Sequence, residues 1–160
     1  MGKGKLYNIK VTAKSDKNGD IVFTPKTYLP HSTSNGKDIF TFNKTDNDMY
    51  EDDFYLVQFT LDDKTKPKKN LRFPEDVDEA FWSRLSPTKA HAVSNCLDEQ
   101  EQDDDFRGLA VLNDNCLLAI NKDSSKRFIV FTLKFLCDGN PDFVLWDPID
   151  AGQNAGKPRS

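Results

Sequence analysis

The sequence predicts an all-β protein built from short antiparallel strands. Segments in which apolar and polar residues alternate recur along the chain, and turns rich in Asn, Asp, Gly and Pro separate them about every ten residues. Units in which strands alternate with long helices are lacking. The pattern favours an immunoglobulin-like β-sandwich of seven to nine short strands with one minor helix. We expect a single domain over residues 1–150 and a flexible C-terminal tail over residues 151–160.

The predicted strands share a period of two, which is the repeat of a strand with one buried face. They cover residues 5–14, 21–24, 38–43, 54–61, 70–73, 107–112, 116–121, 127–137 and 143–146. The segment 54–61 begins apolar on both faces, which indicates a central strand. Residues 88–97 are ambiguous but permit a further strand.

The turns between these strands carry specific signals. Asn18-Gly19 supplies the positive φ angles that a tight hairpin turn demands, so the first two strands should form a hairpin. Residues 113–115 and 138–141 are turns of the same kind, and two prolines predict a loop over residues 25–37. Six acids and no base fall in residues 98–105, which predicts that this segment is not a buried element.

One short helix is predicted after Pro74. Proline tolerates the first helical position, and the acids that follow it favour the positive end of the helix dipole. Val77, Phe81 and Leu85 have the spacing of one helix face, so the helix should run to about Leu85, before Pro87.

Charge and composition exclude several classes of protein. The chain has 160 residues with 22 basic and 26 acidic side chains, a net charge of -4. This balance does not favour nucleic-acid binding, which depends on many Lys and Arg contacts to phosphate. No apolar run is long enough to span a membrane, and the N-terminus lacks a secretory signal. We therefore expect a cytoplasmic protein whose three cysteines, Cys96, Cys116 and Cys137, are free thiols.

No catalytic constellation is evident. His31 and His91 are the two histidines, and no serine lies in a G-x-S-x-G turn. Phosphate-binding glycine loops are absent, and a zinc site would require the three cysteines and His91 to converge. A hydrolase of unfamiliar type around His91 and a cysteine is the weakest alternative. We assign no catalytic, cofactor-binding or metal-ligating residue, no cofactor, and expect a protein that is not an enzyme.

Charged segments and tryptophans leave other functions open. Oxygen-rich loops suit calcium, so the acidic runs 46–53 and 98–105 are an alternative divalent-cation site, although solvated loops explain them more simply. Five bases between Lys64 and Arg72 could bind an acidic partner or protect a strand edge against aggregation. Trp82 and Trp146 are candidates for a surface patch, since aromatic residues often anchor interfaces.

The strand pattern also resembles a known family. The segments 7–11 and 22–23, then 55–59 and 71–73, and finally 128–135 followed by Val144-Leu145-Trp146-Asp147-Pro148, are similar to the bacterial DP-EP family of small proteins. The resemblance covers the chain to about Asp150. It implies a cytoplasmic bacterial β-sandwich and assigns no catalytic residue.

The expected function is therefore non-enzymatic. A small β-sandwich with many strands and no catalytic constellation is typical of a binding or self-associating module. An exposed strand edge or aromatic patch would contact a protein partner or a second copy, without nucleic acid or membrane. The alternative is calcium binding by the two acidic loops.

Overall fold

Eleven strands and one short helix make up the described part of the chain. The structure, a computed structural model, describes residues 2–34, 36–86 and 103–158. The strands are β1 (Gly4–Ser15), β2 (Ile21–Lys26), β3 (His31–Ser34), β4 (Lys37–Asn43), β5 (Phe54–Lys64), β6 (Phe81–Ser86), β7 (Phe106–Asn113), β8 (Cys116–Asn121), β9 (Arg127–Cys137), β10 (Asn140–Trp146) and β11 (Ile149–Asn154); the helix is α1 (Val77–Ala80). The predicted all-β class is confirmed, but the predicted number of strands is too low.

The strands form two mixed sheets that pack together. The first sheet has the order β2-β1-β5-β8-β7; the second has the order β10-β9-β11-β4-β3, with β6 also paired to β9. Most strand pairs in the described residues are antiparallel, but β1 with β5 and β4 with β11 are parallel. The prediction of wholly antiparallel sheets is wrong at these pairs. A tight turn enforces antiparallel pairing only between strands it joins, and both parallel pairs join strands that are distant in sequence.

The core lies between the two sheets and is rich in phenylalanine. Every second residue of strands from both sheets is buried in this core, among them Ile9, Val57 and Phe59 of the first sheet. Phe131 of β9 is fully buried, and its ring centroid lies 4.8 Å from that of Phe106 and 5.8 Å from that of Phe59. Period-two alternation on both sheets therefore supplies the two surfaces of one core.

Several predicted elements are confirmed with small changes of boundary. β1 and β2 form the N-terminal hairpin, and Gly19 has a φ of +82° in its turn. β7 pairs with β8 and β9 with β10, both antiparallel, as predicted. β5 is the middle strand of the first sheet, which confirms its predicted central position.

The predicted helix is mostly a strand. Asp76 caps α1 by accepting a hydrogen bond from the Asp78 amide at 2.9 Å, but the helix ends at Ala80. Phe81–Ser86 then pairs antiparallel with β9 as β6. The helical spacing of Val77, Phe81 and Leu85 was misleading, because Phe81 and Ser83 are buried two residues apart while Leu85 is half-exposed. Backbone pairing with β9 outweighs a helical pattern of three residues.

Three other expectations need correction. The predicted loop of residues 25–37 contains the end of β2, all of β3 and the start of β4. Residues 70–73 form only a single bridge, between Arg72 and Leu136. The predicted tail starts too early, because Ala151–Asn154 belongs to β11 and pairs with both β4 and β9. The ambiguous segment 88–97 lies outside the described residues.

Candidate binding surface

One face of the first sheet is turned away from the second sheet and is partly apolar. We call this side, formed by the outward residues of β1, β2, β5, β7 and β8, the outer face. Strand pairing places Leu6 beside Leu56, and Leu56 beside Ile120. Leu6 is 53% exposed, and the other two are half-buried. The apolar residues of the outer face include Leu6, Phe54, Leu56, Ala110, Leu118 and Ile120. These residues form an apolar band across four neighbouring strands.

Basic side chains border the apolar band. Lys10 of β1 lies opposite Lys26 of β2, and Arg107 of β7 lies opposite Ile120 of β8. The charged residues at outward strand positions are Lys10, Lys14, Lys26, Lys64, Arg107 and Asp62. The outer face is therefore basic although the chain as a whole carries a net charge of -4.

Tyr28 projects at the border of the same face. It is 97% exposed, yet the next residue, Leu29, is buried in the core and donates its amide to Thr27 Oγ1 at 3.1 Å. Tyr28 lines a hollow of about 170 Å³ with Asn8, Lys10, Lys26 and Thr27. An anchored backbone thus presents a fully exposed aromatic ring beside two lysines.

This surface is not predicted from the sequence, although its signals are present there. The apolar start of both faces of β5 was explained by central burial, which is true of one face only. Tyr28 lay in a segment predicted to be a loop. The two tryptophans proposed for a patch lie elsewhere. Trp146 is buried and donates Nε1–H to Asp38 at 3.0 Å, and Trp82 is half-buried on the second sheet.

A second unusual feature is a cluster of charged groups inside the protein. Arg127 forms an ion pair with Asp103 at 3.0 Å and a closer one with Asp105. Asp105 also accepts hydrogen bonds from the amide and the hydroxyl of Ser124. Asp105 is buried, so the prediction that the run 98–105 contains no buried element is wrong at this residue. The opposite charge of Arg127, distant in sequence, makes burial possible.

Two carboxyl groups in this cluster are buried without full hydrogen bonding. Asp123 and Asp150 are each 2% exposed, and Asp123 Oδ2 and Asp150 Oδ1 have no hydrogen-bond partner among the described residues. Burial raises the pKa of Asp123 to about 7, against the opposing charge of Lys44. Burial and the neighbouring charge of Asp123 raise the pKa of Asp150 well above its usual value. A protonated carboxyl group is therefore favoured in the folded state.

Lys44 supplies the second cation of this cluster. It is fully buried after β4 and donates a hydrogen bond from Nζ to the Glu51 carbonyl at 2.9 Å. Burial lowers its pKa, while Asp123 and Asp105 act in the opposite direction. Gly152 of β11 also borders the cluster. A β-carbon at this position would lie 2.6 Å from Asp123 Oδ1, so only glycine lets the β11 backbone lie this close to the Asp123 carboxyl group.

The acidic runs show no arrangement suited to calcium in the described residues. Asp53 accepts hydrogen bonds from the amides of Lys3 and Tyr50, and Asp105 is held by Arg127 and Ser124. No group of three or more possible ligands is found in residues 2–34, 36–86 and 103–158. Residues 98–102 of the second run lie outside the described ranges. Calcium binding stays a prediction.

Three of the five bases in the segment 64–72 contact groups close by. Lys64 Nζ lies 3.6 Å from Asp62, and Arg72 lies 3.1 Å from Asp138. Lys68 donates a hydrogen bond to the Asp63 carbonyl. Most of these bases therefore serve local structure rather than a separate patch, and only Lys64 also belongs to the outer face.

The histidines and cysteines form no described catalytic pair. His31 lies in β3, where Nε2 is 2.8 Å from Asp38 Oδ1 and the ring packs against Phe40. Cys116 and Cys137 are free and buried. His91 and Cys96 lie outside the described residues, so the hydrolase alternative stays a prediction.

No family model and no curated protein matches the chain. In the part of the chain that the structure describes, no helix is long and apolar enough to cross a membrane.

Proposed function

We propose that the chain is a non-enzymatic binding or self-associating module that makes contact through the outer face of the first sheet. The observation that carries this proposal is the apolar band from Leu6 through Leu56 and Ile120, left uncovered beside an exposed aromatic ring. Apolar surface that crosses several strands loses contact with water when a partner covers it, which favours association.

The burial pattern supports this use of the outer face. The inward residues of β1 and β5, such as Ile9 and Val57, are fully buried, while the outward residues are half-buried or exposed. When one face of a sheet packs on the core and the other faces water, the residues of the face toward water are normally polar. The leucines of the outer face depart from that rule, and a contact surface explains the departure.

The experiment measures association and probe binding together. Light scattering after size-exclusion chromatography reports the oligomeric state, and titration with the apolar dye bis-ANS reports exposed apolar surface. We expect Leu6→Asn to weaken dye binding about three-fold or more, or to abolish self-association if wild-type protein oligomerises. Leu85→Asn is the matched control, because Leu85 is 50% exposed on the second sheet. A wild-type monomer whose dye binding is the same in both variants would contradict the proposal.

We further propose an immunoglobulin-like β-sandwich topology and a relation to the DP-EP family. The Asp147-Pro148 pair, one basis of the resemblance, lies between β10 and β11. Asp147 accepts a hydrogen bond from Thr132, and the Pro148 carbonyl accepts one from the Phe131 amide. This pair therefore fixes the connection between two strands, β10 and β11, that both pair with β9.

We also propose that the protein is cytoplasmic. The free, buried thiols of Cys116 and Cys137 support this proposal, because thiols stay reduced in the cytoplasm.

A further inference from the structure

We propose that the outer face binds an acidic segment of another protein, with the ring of Tyr28 as its aromatic anchor. The inference deepens the proposed binding function and rests on it. The apolar band alone does not specify the charge of the partner, whereas the basic residues around it do.

Charge complementarity supports an acidic partner. The outward strand positions carry five bases and one acid, while the whole chain has four more acids than bases. Asp62 is shared, lying 3.4 Å from Lys10 and 3.6 Å from Lys64. Within the described residues, no acid forms an ion pair with Lys14, Lys26 or Arg107. These cations remain available to carboxylates of a partner.

Tyr28 provides a second and independent argument. Large aromatic side chains at interfaces carry much of the binding energy when a partner buries them. Tyr28 is 97% exposed, and the backbone that carries it is held in place by the burial of the neighbouring Leu29. A tyrosine side chain has only two torsion angles, so its ring loses little conformational freedom on binding. Lys10 and Lys26 line the same hollow, so an apolar side chain flanked by carboxylates fits there.

A second copy of the chain is a poorer occupant. In a two-fold contact of the outer face with itself, the same five bases of each copy would approach one another. Like charges brought together at an interface oppose association. A head-to-tail contact with an acidic region of another copy closes into a ring only at particular rotations between copies and otherwise extends into filaments.

Single-stranded nucleic acid fits less well than an acidic protein segment. Proteins that bind single strands stack successive bases on several aromatic rings. The outer face has one fully exposed ring, Tyr28, and its band consists mainly of aliphatic side chains such as Leu6 and Ile120. Aliphatic side chains bordered by lysine and arginine side chains match a polypeptide in which apolar and acidic residues alternate.

The test uses the full-length chain and three labelled synthetic peptides of equal length. The first repeats Glu-Leu-Asp-Phe, the second replaces its acids with Lys, and the third replaces its apolar residues with Ser. A fluorescent oligothymidine is the fourth probe. Fluorescence anisotropy at low and moderate salt measures each affinity. We expect the first peptide to bind most tightly, with an affinity that falls as salt rises.

Variants locate the site. We expect Tyr28→Ala to weaken binding of the acidic peptide about ten-fold, and Lys10→Glu with Lys26→Glu to weaken it by at least as much. Lys126→Glu is the control for charge, because Lys126 is exposed in the turn between β8 and β9. All four positions changed are exposed, so thermal unfolding should confirm that every variant folds.

Three outcomes would overturn the inference. They are tighter binding of oligothymidine than of the acidic peptide, equal binding of the acidic and basic peptides, and unchanged affinity in both outer-face variants. The two proposals fail separately. If bis-ANS binding depends on Leu6 while the acidic peptide does not bind, the outer face is a contact surface and only the acidic partner is wrong. If dye binding is the same in Leu6→Asn and Leu85→Asn and the wild type is a monomer, the proposed function itself is wrong.

Discussion

At the scale of the residue, the most unusual groups are buried charges that lie far apart in sequence. Asp123 lies between β8 and β9 and Asp150 lies in β11, and Lys44 and Arg127 bring opposite charge to the same region. Asp123 also has a positive φ of 43°, a conformation that Asn and Asp tolerate better than most residues. No local pattern predicts such a cluster, because these charged residues lie within or next to predicted loops or at the start of a predicted strand, where solvent exposure is the ordinary expectation.

The raised pKa of Asp123 leads to a prediction for stability and pH. An ordinary Asp ionises near pH 3.8, and in the folded protein the pKa of Asp123 is about 7. The folded state therefore holds the proton more tightly, so this group favours folding below pH 3.8 and that contribution is lost as pH rises through about 7. Asp123→Asn mimics the protonated form at every pH. We expect the variant to melt at least about 2 °C above wild type at pH 8 and close to wild type at pH 4.

Thermal unfolding at pH 4, 6 and 8 provides the measurement. Asp104→Asn is the control, because Asp104 is exposed beside the same cluster and should change little at any pH. If Asp123→Asn melts below wild type at pH 8, the ionised carboxylate is stabilising in its contacts with Lys44 and Arg127, and the assignment of a protonated group is wrong.

At the scale of the element, the strands with strict alternation were predictable and the ones without it were not. β9 and the hairpin of β7 and β8 could be predicted because apolar residues recur at every second position in them and clear turn residues end them. β6 and β11 were not, since neither has an apolar stripe of its own. Both are fixed by backbone hydrogen bonds to β9, which no sequence period reveals.

The role of β11 can be tested by truncation. It pairs with β4 and β9, and the Asn154 carbonyl accepts the Lys44 amide at 2.9 Å. A chain that ends after Asp150 would leave Thr41, Phe42 and Asn43 of β4 without their partners in β11. We expect it to lose at least about 10 °C in melting temperature or to fail to fold. A chain that ends after Pro158 is the control and should melt like the full-length protein. Equal melting of the two truncated chains would mean that β11 does not stabilise the fold.

At the scale of the whole molecule, both sheets share one core, and this predicts cooperative unfolding. Phe131 contacts rings from both sheets, including Phe40 of β4 and Phe59 of β5. We expect Phe131→Ala to lower the free energy of unfolding by about 3–5 kcal/mol, with the milder Phe131→Leu in reserve should it not fold. Phe143→Ala, at an exposed ring on β10, should cost far less. Urea unfolding followed by tryptophan fluorescence and by circular dichroism is the measurement, and separate transitions by the two signals would show that the sheets unfold independently.

The whole molecule also shows how a modest net charge can conceal an uneven surface. The sum of -4 excluded a generally basic protein, but it could not show that five bases share one sheet face. Lys10 and Arg107 lie almost a hundred residues apart and come to share one face only through the order of the strands in the first sheet. The charge of a surface depends on topology as much as on composition.

The sequence by itself determined the all-β class and most strands with a regular period, because alternation and turn residues act locally along the chain. Only the tertiary structure decided the parallel pairs, the extra strands, the buried cluster around Asp123 and the basic outer face with Tyr28. Each of these arises from contacts between residues that are distant in sequence. A one-dimensional pattern records which face of a strand a residue occupies, but it does not record which strand lies beside it or what covers that face.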